Sequence, residues 1–435
     1  MREKLQRLRD WLLIPYHYWQ GVFWALVYGF PTRGMTVIGV TGTNGKTTTS
    51  FMIYEVLRAA GKRVGILTTV SYGANGRLTT PHEHATTPHP RLLNQRLRAL
   101  RKRHIDYLVL ETTSHALAQN RIWGIKIDSA VLTNMTHEHL DYHGTFERYM
   151  EAKRKLFLKA EFGIVNAEDE VAPLFLASVP HSMTFGVDAG DLRASNIKLE
   201  SDSVQFALCY RDFCANPKMP IRSNIAGEFN VYNALAAAAV GLHYGLNLAD
   251  IAEGISNLDS VDGRMEVVDV GQPWTAIIDY AHTPDAFAKL LPDMKKAAKK
   301  DGGRLIVLFG SAGGRRDPSK RAPQGELAGQ YADVIILTEE DDRGTPAEEI
   351  FGDIEEGISK TRFAKKNLYK IEKRPEAIEF AVEMARRNDV VLFLGKGHER
   401  TLERAEGDVK YYELDYVRRA LKRRFASGNR VENKK

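Results

Sequence analysis

Cysteine is scarce in this sequence, since the 435 residues include only Cys209 and Cys214. Two cysteines are too few for a disulfide-based scaffold or a cysteine-rich zinc site, and they fit a reducing cytoplasm. The sequence also has no internal repeat, and its 43% hydrophobic and 27% charged residues exclude a disordered or collagen-like chain. We therefore expect a cytoplasmic globular protein with about three domains, or two large ones.

A large excess of one charge is absent as well. The formal net charge is +6, and the last twenty residues hold eight Lys or Arg side chains against the single acid Glu432. The rest of the chain is therefore close to neutral. A basic helical tail is more typical of a solvated face than of a nucleic-acid surface, so no nucleic-acid partner is expected.

Acidic and basic side chains are missing from Trp11 to Thr32, a run long enough to cross a bilayer. Pro15 and Gly21 interrupt the run, and no cleavage pattern of a signal peptide follows it. Apolar residues recur at helical spacing from Trp19 onward and favour a buried helix that packs on the next domain: Trp19, Val22, Phe23, Leu26, Val27 and Phe30. A helix on a membrane surface and a membrane span remain the less favoured alternatives.

Strand-like and helix-like segments alternate along most of the chain, which predicts an α/β fold with mostly parallel sheets. The strand-type runs are residues 35–40, 107–110, 129–132, 163–165, 276–278, 305–309, 334–337 and 390–394. Residues 195–222 differ, because their short alternating segments indicate a small antiparallel patch.

Three regions follow from this pattern. Residues 1–36 form an N-terminal aromatic helical segment, and residues 37–260 form a central domain of the P-loop type. Residues 261–435 form a second, Rossmann-like α/β domain that ends in the basic tail.

A glycine-rich loop between a strand and a helix is the first motif that carries chemistry. It contains Gly42, Thr43, Asn44, Gly45, Lys46, Thr47 and Thr48. Loop N–H groups and the helix N-terminus would face a phosphate, Lys46 would reach the terminal phosphates, and Thr47 would hold a magnesium ion. The position five before Gly45 is Val40 rather than the usual glycine. The motif predicts binding of ATP or GTP.

Candidate metal ligands follow two neighbouring strands. Glu111 comes directly after residues 107–110, at the carboxyl edge where ligands bind in such sheets. His137, His139 and His143 follow residues 129–132 with Asp141 among them, so a zinc cluster is conceivable. A hard metal shared with the nucleotide loop, with histidine as an occasional magnesium ligand beside Glu111, is the favoured interpretation.

Taken together, these motifs resemble the Mur ligase family, and most closely its MurE type, which adds the third residue of the peptidoglycan stem peptide. The similar segments are Thr41–Thr48, Glu111–Leu117, Asn134–Gly144, Gly227–Asn233, Gly263–Glu266, Asp279–Asp285 and Gly395–Glu399. The resemblance covers nearly the whole chain. It implies an ATP-dependent acid–amino-acid ligase of peptidoglycan precursor synthesis, with ATP and Mg²⁺ as cofactors.

In this family ATP phosphorylates a substrate carboxylate, and the amine of an incoming amino acid displaces phosphate from the acyl phosphate. The resemblance implies that Lys46, Lys153 and His139 are catalytic, with Lys46 offsetting charge at the γ-phosphate. It also implies that Thr47 and Glu111 hold one magnesium ion, and His139 with Glu111 a second. Lys153 aligns with the lysine that is carbamylated in the family, although its own neighbours Arg154 and Lys155 suggest an ordinary solvated helix lysine.

The remaining site residues are also assigned by resemblance. The ATP site would include the loop residues with Asn230, Asn233, Arg264, Arg316 and Asp317. The muramoyl-peptide acceptor would contact Thr86, Thr87, Ser114, Gln119, Arg121 and His282. The incoming amino acid would contact Asp341, Arg343, Gly395 and Glu399.

The sequence departs from the family pattern in two places. Full-length members carry a further N-terminal domain of about a hundred residues that binds the uridine nucleotide. Here the ATP loop begins at residue 41, so we expect that domain to be missing and leave open whether the acceptor carries UDP.

Where diaminopimelate enzymes have Asp-Asn-Pro-Arg, this chain has Glu340-Asp-Asp-Arg343, which fits a diamino acid through its distal carboxylate or its distal amine.

Two alternatives to this function remain. One is a related ligase with another acceptor, such as a lipid-linked precursor, a folate or an amino-acid polymer. The other is a non-catalytic nucleotide-binding scaffold, against which the full set Lys46, Glu111, His139 and Lys153 argues.

Overall fold

The computed structural model describes residues 14–81, 85–200, 202–211, 213–214, 220–314 and 316–426. Part of the basic tail, including Arg430, Lys434 and Lys435, lies outside these residues. The chain forms two compact units. The first extends to Asp259 and the second starts at Ser260, except that the short segments Leu199–Ser203 and Ile225–Glu228 group with the second.

The described part of the first unit contains a twelve-stranded sheet. Its strands are β1 (Thr36–Thr41), β2 (Val64–Leu67), β3 (Tyr72–Ala74), β4 (Arg77–Thr79), β5 (Tyr107–Glu111), β6 (Ile127–Leu132), β7 (Ala160–Asn166), β8 (His181–Gly186), β9 (Leu192–Leu199), β10 (Val204–Tyr210), β11 (Phe213–Cys214) and β12 (Ile221–Ser223). Their spatial order is β11-β10-β9-β8-β7-β6-β1-β5-β2-β3-β4, and β12 pairs with β10.

The central strands of this sheet are parallel, and both of its edges are antiparallel. Strand β1 pairs in parallel with β5 and β6, so the carboxyl ends of these three strands meet at one edge. The antiparallel pairs are β2 with β3, β3 with β4, and β10 with β11 and β12. The predicted antiparallel patch therefore lies at one end of the sheet.

The helices in the described residues of the first unit are α1 (Ile14–Val27), α2 (Lys46–Ala59), α3 (Pro90–Arg101), α4 (Ser114–Ala118), α5 (Leu140–His143), α6 (Phe146–Phe157), α7 (Ala172–Leu176), α8 (Phe229–His243) and α9 (Leu248–Ser256). Helix α2 packs against α8 and α9. The run Ala236–Ala239 in α8 is fully buried, and its small side chains allow other elements to approach closely.

The prediction that the aromatic side chains of α1 are buried is wrong. The segment is helical, but Trp19, Phe23, Leu26 and Val27 are exposed. The buried side of the helix instead contains a small residue, Ala25, because close approach to the neighbouring elements favours small side chains. Among the residues described, no helix has the length and apolar content needed to cross a bilayer.

The second unit has a six-stranded sheet with the spatial order β13-β14-β18-β15-β16-β17 and a separate two-stranded sheet. The strands are β13 (Glu266–Val267), β14 (Thr275–Asp279), β15 (Leu305–Phe309), β16 (Val334–Leu337), β17 (Leu368–Lys370), β18 (Val390–Leu394), β19 (Thr401–Arg404) and β20 (Gly407–Lys410). The helices are α10 (Pro284–Lys300), α11 (Arg321–Tyr331), α12 (Ala347–Ser359), α13 (Arg374–Met384) and α14 (Glu413–Ala426).

Strands β14 to β18 are parallel, and only β13 runs antiparallel in the larger sheet of the described second unit. Strands β15, β16 and β18 are buried along their whole length, as expected for continuous apolar runs covered on both faces. The predicted fold class, two α/β units with mostly parallel sheets, is confirmed.

Candidate active site

The glycine-rich loop lies between β1 and α2. Gly42 and Gly45 have φ angles of 150° and 79°. A Cβ atom on Gly42 would lie 1.9 Å from Thr133 Oγ1, and one on Gly45 would lie 2.4 Å from Asn233 Oδ1. Both positions therefore require glycine, and the loop presents backbone N–H groups beside the N-terminus of α2.

Side chains from neighbouring elements hold the loop in place. Thr133 Oγ1 donates a hydrogen bond to the Asn44 carbonyl at 2.6 Å. Asn134 accepts from the Asn44 N–H at 2.9 Å and donates to the Asn44 carbonyl at 3.1 Å. The hydroxyls of Thr43 and Tyr149 lie 3.0 Å apart. The loop backbone is therefore fixed by protein groups alone, which is the preorganisation that a phosphate site needs.

Lys46 is the first residue of α2. Its Nζ donates to the carbonyl of Thr43 at 2.7 Å, so the ammonium group lies over the loop. The N-terminus of a helix carries a partial positive charge, and Lys46 adds a full one at the same place. The helix N-terminus and the Lys46 ammonium therefore both favour the binding of an anion at the loop.

Glu111 ends β5 and is only 1% exposed. Thr47 Oγ1 lies 3.1 Å and 3.2 Å from its two carboxylate oxygens. The backbone N–H of Thr69 donates to Oε2 at 3.0 Å, and the Thr69 hydroxyl lies 3.2 Å from both oxygens. A buried carboxylate grouped with two hydroxyls is a set of hard oxygen donors, which fits Mg²⁺.

Lys153 is buried in α6 rather than solvated, so the interpretation drawn from its charged neighbours is wrong. Its Nζ donates to the carbonyl of Gly42, and it lies 4.7 Å from the centre of the Tyr149 ring. Burial and the Lys46 ammonium hold the pKa of the Lys153 amine well below its ordinary value. The neutral amine is therefore favoured at this position.

Two of the three histidines after β6, His139 and His143, pack against the same two rings, His115 and Tyr149. His139 has a left-handed φ of 56°, and its ring lies 4.9 Å from that of His115. His143 Nε2 lies 2.9 Å from Ser114 Oγ, and burial, with Lys153 and Lys155, lowers the pKa of His143 to about 4.

His137 instead stacks on Phe146, with ring centres 4.3 Å apart. Within the described residues no group of three or more His, Cys, Asp or Glu side chains could hold a metal ion. The side chain of Asp141, the acid of the zinc alternative, lies outside that description.

Five residues assigned to the acceptor come together around the ends of β5 and α4. Arg121 donates to the Thr87 carbonyl at 2.6 Å and to Gln119 Oε1 at 2.9 Å. Thr87 Oγ1 donates to the carbonyl of Glu111 at 3.1 Å, which places this group next to the metal-ligand candidate. The hydroxyl of Thr69, which also contacts Glu111, lies 2.8 Å from that of Thr86. The N–H of Thr113 donates to Thr87 Oγ1 at 3.3 Å, and Ser114 follows directly as the first residue of α4.

Asn230 and Asn233 are buried in the first turns of α8. Asn233 Nδ2 donates to Asn230 Oδ1 at 2.8 Å, and Asn233 Oδ1 accepts from the hydroxyl of Thr49 at 3.0 Å. The pair therefore joins α8 to the helix that starts at the phosphate loop.

The second unit carries the other residues assigned to ATP and to the acceptor. Arg264 lies over the ring of Tyr280, 4.6 Å from its centre. Asp317 accepts from the Ser319 N–H at 2.9 Å and so caps a short 3₁₀ turn, and Arg316 beside it is exposed. His282 Nδ1 lies 2.7 Å from the carbonyl oxygen of Tyr280.

A network of charged side chains occupies the amino-acid loop of the second unit. Lys396 is buried and donates to Asp341 Oδ1 at 2.7 Å and to Glu399. Arg343 donates to Glu403 Oε2 at 2.6 Å and to Asp341 Oδ2 at 3.2 Å. Lys396 thus links Asp341 to Glu399, and Arg343 joins this network through Asp341.

Two charged groups in this loop keep a buried atom without a hydrogen-bond partner in the described structure. These atoms are Glu340 Oε2 and Arg343 Nη1. A carboxylate oxygen and a guanidinium N–H of this kind can receive an ammonium group and a carboxylate from a ligand.

Sequence reasoning missed the roles of several residues in both units. Tyr149 and Thr69 contact the phosphate loop and Glu111 from elements distant in sequence, and no local pattern marks them. Lys396 stands inside the Gly395–Glu399 motif, so its position between two acidic side chains could have been suspected from that motif.

Two family models match the chain. One, described as the Mur ligase middle domain, matches residues 40–241. The other, described as the Mur ligase, glutamate ligase domain, matches residues 263–397.

Several curated proteins are similar over nearly the whole chain. A UDP-N-acetylmuramyl-tripeptide synthetase of Treponema denticola is 38% identical over 419 residues, which covers 91% of this chain and 78% of that protein. A UDP-N-acetylmuramoyl-L-alanyl-D-glutamate–2,6-diaminopimelate ligase of Clostridium acetobutylicum is 35% identical, with 93% and 82% covered.

Solved structures are similar as well. A UDP-N-acetylmuramoyl-L-alanyl-D-glutamate–2,6-diaminopimelate ligase has a TM-score of 0.64 at 30% identity, covering 94% of this chain and 82% of that chain. A folylpolyglutamate synthase of Mycobacterium tuberculosis in complex with ADP has a TM-score of 0.69 at 17% identity, covering 90% and 96%. At 17% identity the second similarity shows the fold alone.

Proposed function

The chain belongs to the Mur ligase family and is an ATP-dependent ligase that forms amide bonds; from this premise we propose that it adds a diamino acid to a muramoyl-dipeptide acceptor. One observation carries the proposal. The buried Glu111 carboxylate, the Thr47 hydroxyl and the Lys46 ammonium converge on one glycine-rich loop, and the buried amine of Lys153 reaches the same loop through Gly42.

The acceptor carboxylate must first be activated, because its oxygen is a poor leaving group. A carboxylate oxygen attacks the γ-phosphorus of ATP, the bond to the bridging oxygen breaks, and ADP leaves with that electron pair. Lys46 and the N–H groups of the loop stabilise the charge that builds up on the γ-phosphoryl oxygens. Thr47 and Glu111 would hold Mg²⁺, which supplies further charge neutralisation when bound.

The amide forms in a second step. The neutral amine of the amino acid attacks the acyl carbon, the carbon–oxygen bond to the phosphoryl group breaks, and inorganic phosphate leaves. The attacking nitrogen loses a proton to a base or to solvent. The protein contributes by orienting the acyl phosphate and the amine and by excluding competing water.

Lys153 is proposed to carry a carbamate in the working enzyme. A neutral lysine amine adds to carbon dioxide, a nitrogen–carbon bond forms and a proton is released, which leaves an anion. The lowered pKa of Lys153 supports this step, because it favours the unprotonated amine more than in an exposed lysine. His139 is proposed to act beside Glu111 as a ligand of a second Mg²⁺.

The acceptor is proposed to lie along Arg121, Ser114, Gln119 and the threonines Thr86 and Thr87. The cationic guanidinium of Arg121 is fixed by two hydrogen bonds to protein groups. It lies near the end of β5, because its partner Thr87 also contacts Glu111. His282 is proposed to contribute from the second unit. ATP and the acceptor are cytoplasmic metabolites in such a reaction, so we place the protein in the cytoplasm.

The amino-acid site is proposed to comprise Asp341, Arg343, Gly395 and Glu399. Arg343 Nη1 and Glu340 Oε2 are the buried atoms that would pair with the substrate's distal carboxylate and ammonium groups. A diamino acid with both groups, such as diaminopimelate, satisfies both atoms, whereas lysine leaves Arg343 Nη1 unpaired.

Phosphate release tests this function directly. ATP, Mg²⁺ and UDP-muramoyl-dipeptide would be supplied with diaminopimelate, lysine or ornithine, one at a time. We expect release that requires both the acceptor and one amino acid, with diaminopimelate preferred. An ATP-binding protein that releases no phosphate with any pair would overturn the proposed acceptor, and an unchanged rate in the Lys46→Ala variant would overturn the proposed site.

A further inference from the structure

Helix α1 presents a stripe of large apolar side chains to the surface. Tyr16, Trp19, Phe23, Leu26 and Val27 are between 51% and 65% exposed. Their spacing of three, four, three and one residues places them along one side of a helix. We call these five residues the aromatic face.

The opposite side of α1 is fixed to the protein. A Cβ atom on Gly21 would lie 2.8 Å from the Asn120 carbonyl oxygen and 2.9 Å from Trp123 Cβ, so the helix backbone is close to this segment. The rings of Tyr18 and Trp123 make an edge contact with centres 6.2 Å apart. The aromatic face therefore belongs to an anchored helix, and its exposure follows from how that helix docks.

Helix α1 and its neighbour α3 carry basic but no acidic side chains in the described residues. The sequence contains no Asp or Glu from Trp11 to Tyr54, and none from His84 to Ile105. The second stretch includes α3, against which α1 packs. Helix α3 carries exposed Arg91, Arg98 and Arg101, and the guanidinium of Arg91 lies 5.4 Å from the centre of the Trp24 ring.

We propose that the aromatic face of α1, with Arg91 of α3 beside the helix, binds the surface of an anionic phospholipid bilayer. Tryptophan, tyrosine and phenylalanine on one helix side are suited to the boundary between headgroups and acyl chains. The exposed arginines of α3 complement lipid phosphates, and the absence of Asp and Glu from α1 and α3 avoids repulsion between these two helices and an anionic surface. No helix of the described chain can cross the bilayer, so the contact is peripheral.

The aromatic face lies on the first unit, and its lipid binding does not depend on which amino acid or acceptor the ligase uses. It predicts that the enzyme works at the membrane surface, where a bound helix raises the local concentration of any lipid-anchored partner. A second copy of the chain on the same face is the competing occupant, and the experiment below distinguishes the two.

Vesicle sedimentation of the full chain is the test. We expect binding to phosphatidylcholine vesicles that contain phosphatidylglycerol, weaker binding to phosphatidylcholine alone, and loss of binding at high salt. The double variant Trp19→Ser/Phe23→Ser should weaken binding about tenfold or more, since two aromatic side chains no longer bury their surface in the lipid. The matched control Leu158→Ser/Tyr210→Ser changes two exposed apolar residues elsewhere in the first unit and should bind like the parent protein.

The contribution of the arginines and the insertion of the aromatic face into lipid are measured separately. Arg91→Gln/Arg98→Gln should reduce binding to the anionic vesicles more than to the neutral ones. Brominated lipid should quench the fluorescence of the parent protein, and Trp19→Phe should remove most of that quenching. Thermal melting of each variant shows whether it is folded.

Three results would overturn the proposal. They are no binding to either vesicle, equal binding by a folded Trp19→Ser/Phe23→Ser variant, and a dimer in light scattering that this variant abolishes. The last result would assign the face to a second copy. The proposed ligase activity is measured without vesicles, so it can fail or hold independently of this outcome.

Discussion

The phosphate loop of the first unit and the amino-acid loop of the second hold their charged side chains in different ways. At the phosphate loop, Lys46 donates to a backbone carbonyl, and Glu111 accepts from threonine hydroxyls and an amide N–H. At the amino-acid loop, Lys396 and Arg343 bind carboxylates of the same chain.

The difference reflects what each loop has to receive. ATP and magnesium bring large charges, and a backbone carbonyl, hydroxyls and an amide N–H orient the Lys46 ammonium and the Glu111 carboxylate at the loop that would receive them. A zwitterionic amino acid brings little net charge. A site that compensates its own charges and leaves only a few polar atoms open can then select by geometry.

Replacing Lys46 tests the first half of this comparison and has the largest expected effect. Lys46→Ala should lower the rate of ATP-dependent phosphate release about a thousandfold, because the charge on the γ-phosphoryl group loses its fixed cation. The melting temperature should change little. Lys62→Ala, at an exposed lysine in the same unit, is the control. A variant that keeps a tenth or more of the parent rate would contradict the role of Lys46.

Replacing Arg374 tests whether the second unit depends on pairing its buried charges. Arg374 is fully buried with Glu413, and its Nη2 lies 2.7 Å from Glu413 Oε1. Arg374→Met should lower the free energy of unfolding by about 3 kcal/mol or more, because it leaves a carboxylate buried without its partner. Arg374→Met/Glu413→Leu should recover part of the loss. Urea denaturation measures both, and additive losses would show that the two charges are not coupled.

Glu111→Gln removes one carboxylate from the phosphate-loop site and keeps its shape. We expect phosphate release to fall about a hundredfold and to recover partly at high Mg²⁺, since one hard anionic ligand is lost. The rate measured against Mg²⁺ concentration shows whether the loss is due to weaker magnesium binding. Glu161→Gln, at an exposed position, is the control. If the magnesium dependence stays the same, Glu111 is not a ligand.

The lowered pKa of Lys153 predicts the smallest effect, a dependence of stability on pH. The unfolded chain binds a proton at Lys153 at a higher pH than the folded chain does. The free energy of unfolding should therefore fall as pH is lowered through that interval, by at most about 1.4 kcal/mol per pH unit. Lys153→Met should remove this component. Urea denaturation at a series of pH values downward from the ordinary lysine pKa of about 10.4 checks it, and parallel curves for the two proteins over the whole series would disprove the shifted pKa.

The sequence predicted the parts of the fold that local patterns specify. The strands 305–309, 334–337 and 390–394 agree with β15, β16 and β18 residue by residue. Strand β2 was not singled out, because Val64–Leu67 is short and lies in a segment without alternation.

What depends on tertiary packing was harder to predict. The burial of Lys153 and the exposure of Trp19 and Phe23 reverse what residue type suggests, because each is set by neighbours far away in sequence. The motif residues Thr47, Glu111, Lys46 and Asn233 do come together around one loop. Their chemical roles remain predictions that the variants above address.

Isotope transfer tests the central claim most directly. The acceptor, muramoyl-dipeptide linked to UDP, would be prepared with ¹⁸O in the carboxylate that is activated, and the phosphate released in the presence of ATP, Mg²⁺ and diaminopimelate would be analysed by mass spectrometry. An acyl phosphate intermediate predicts that one ¹⁸O atom moves from the acceptor into each phosphate. Phosphate that carries no label from the acceptor would show that ATP is hydrolysed by water, which contradicts the ligase mechanism.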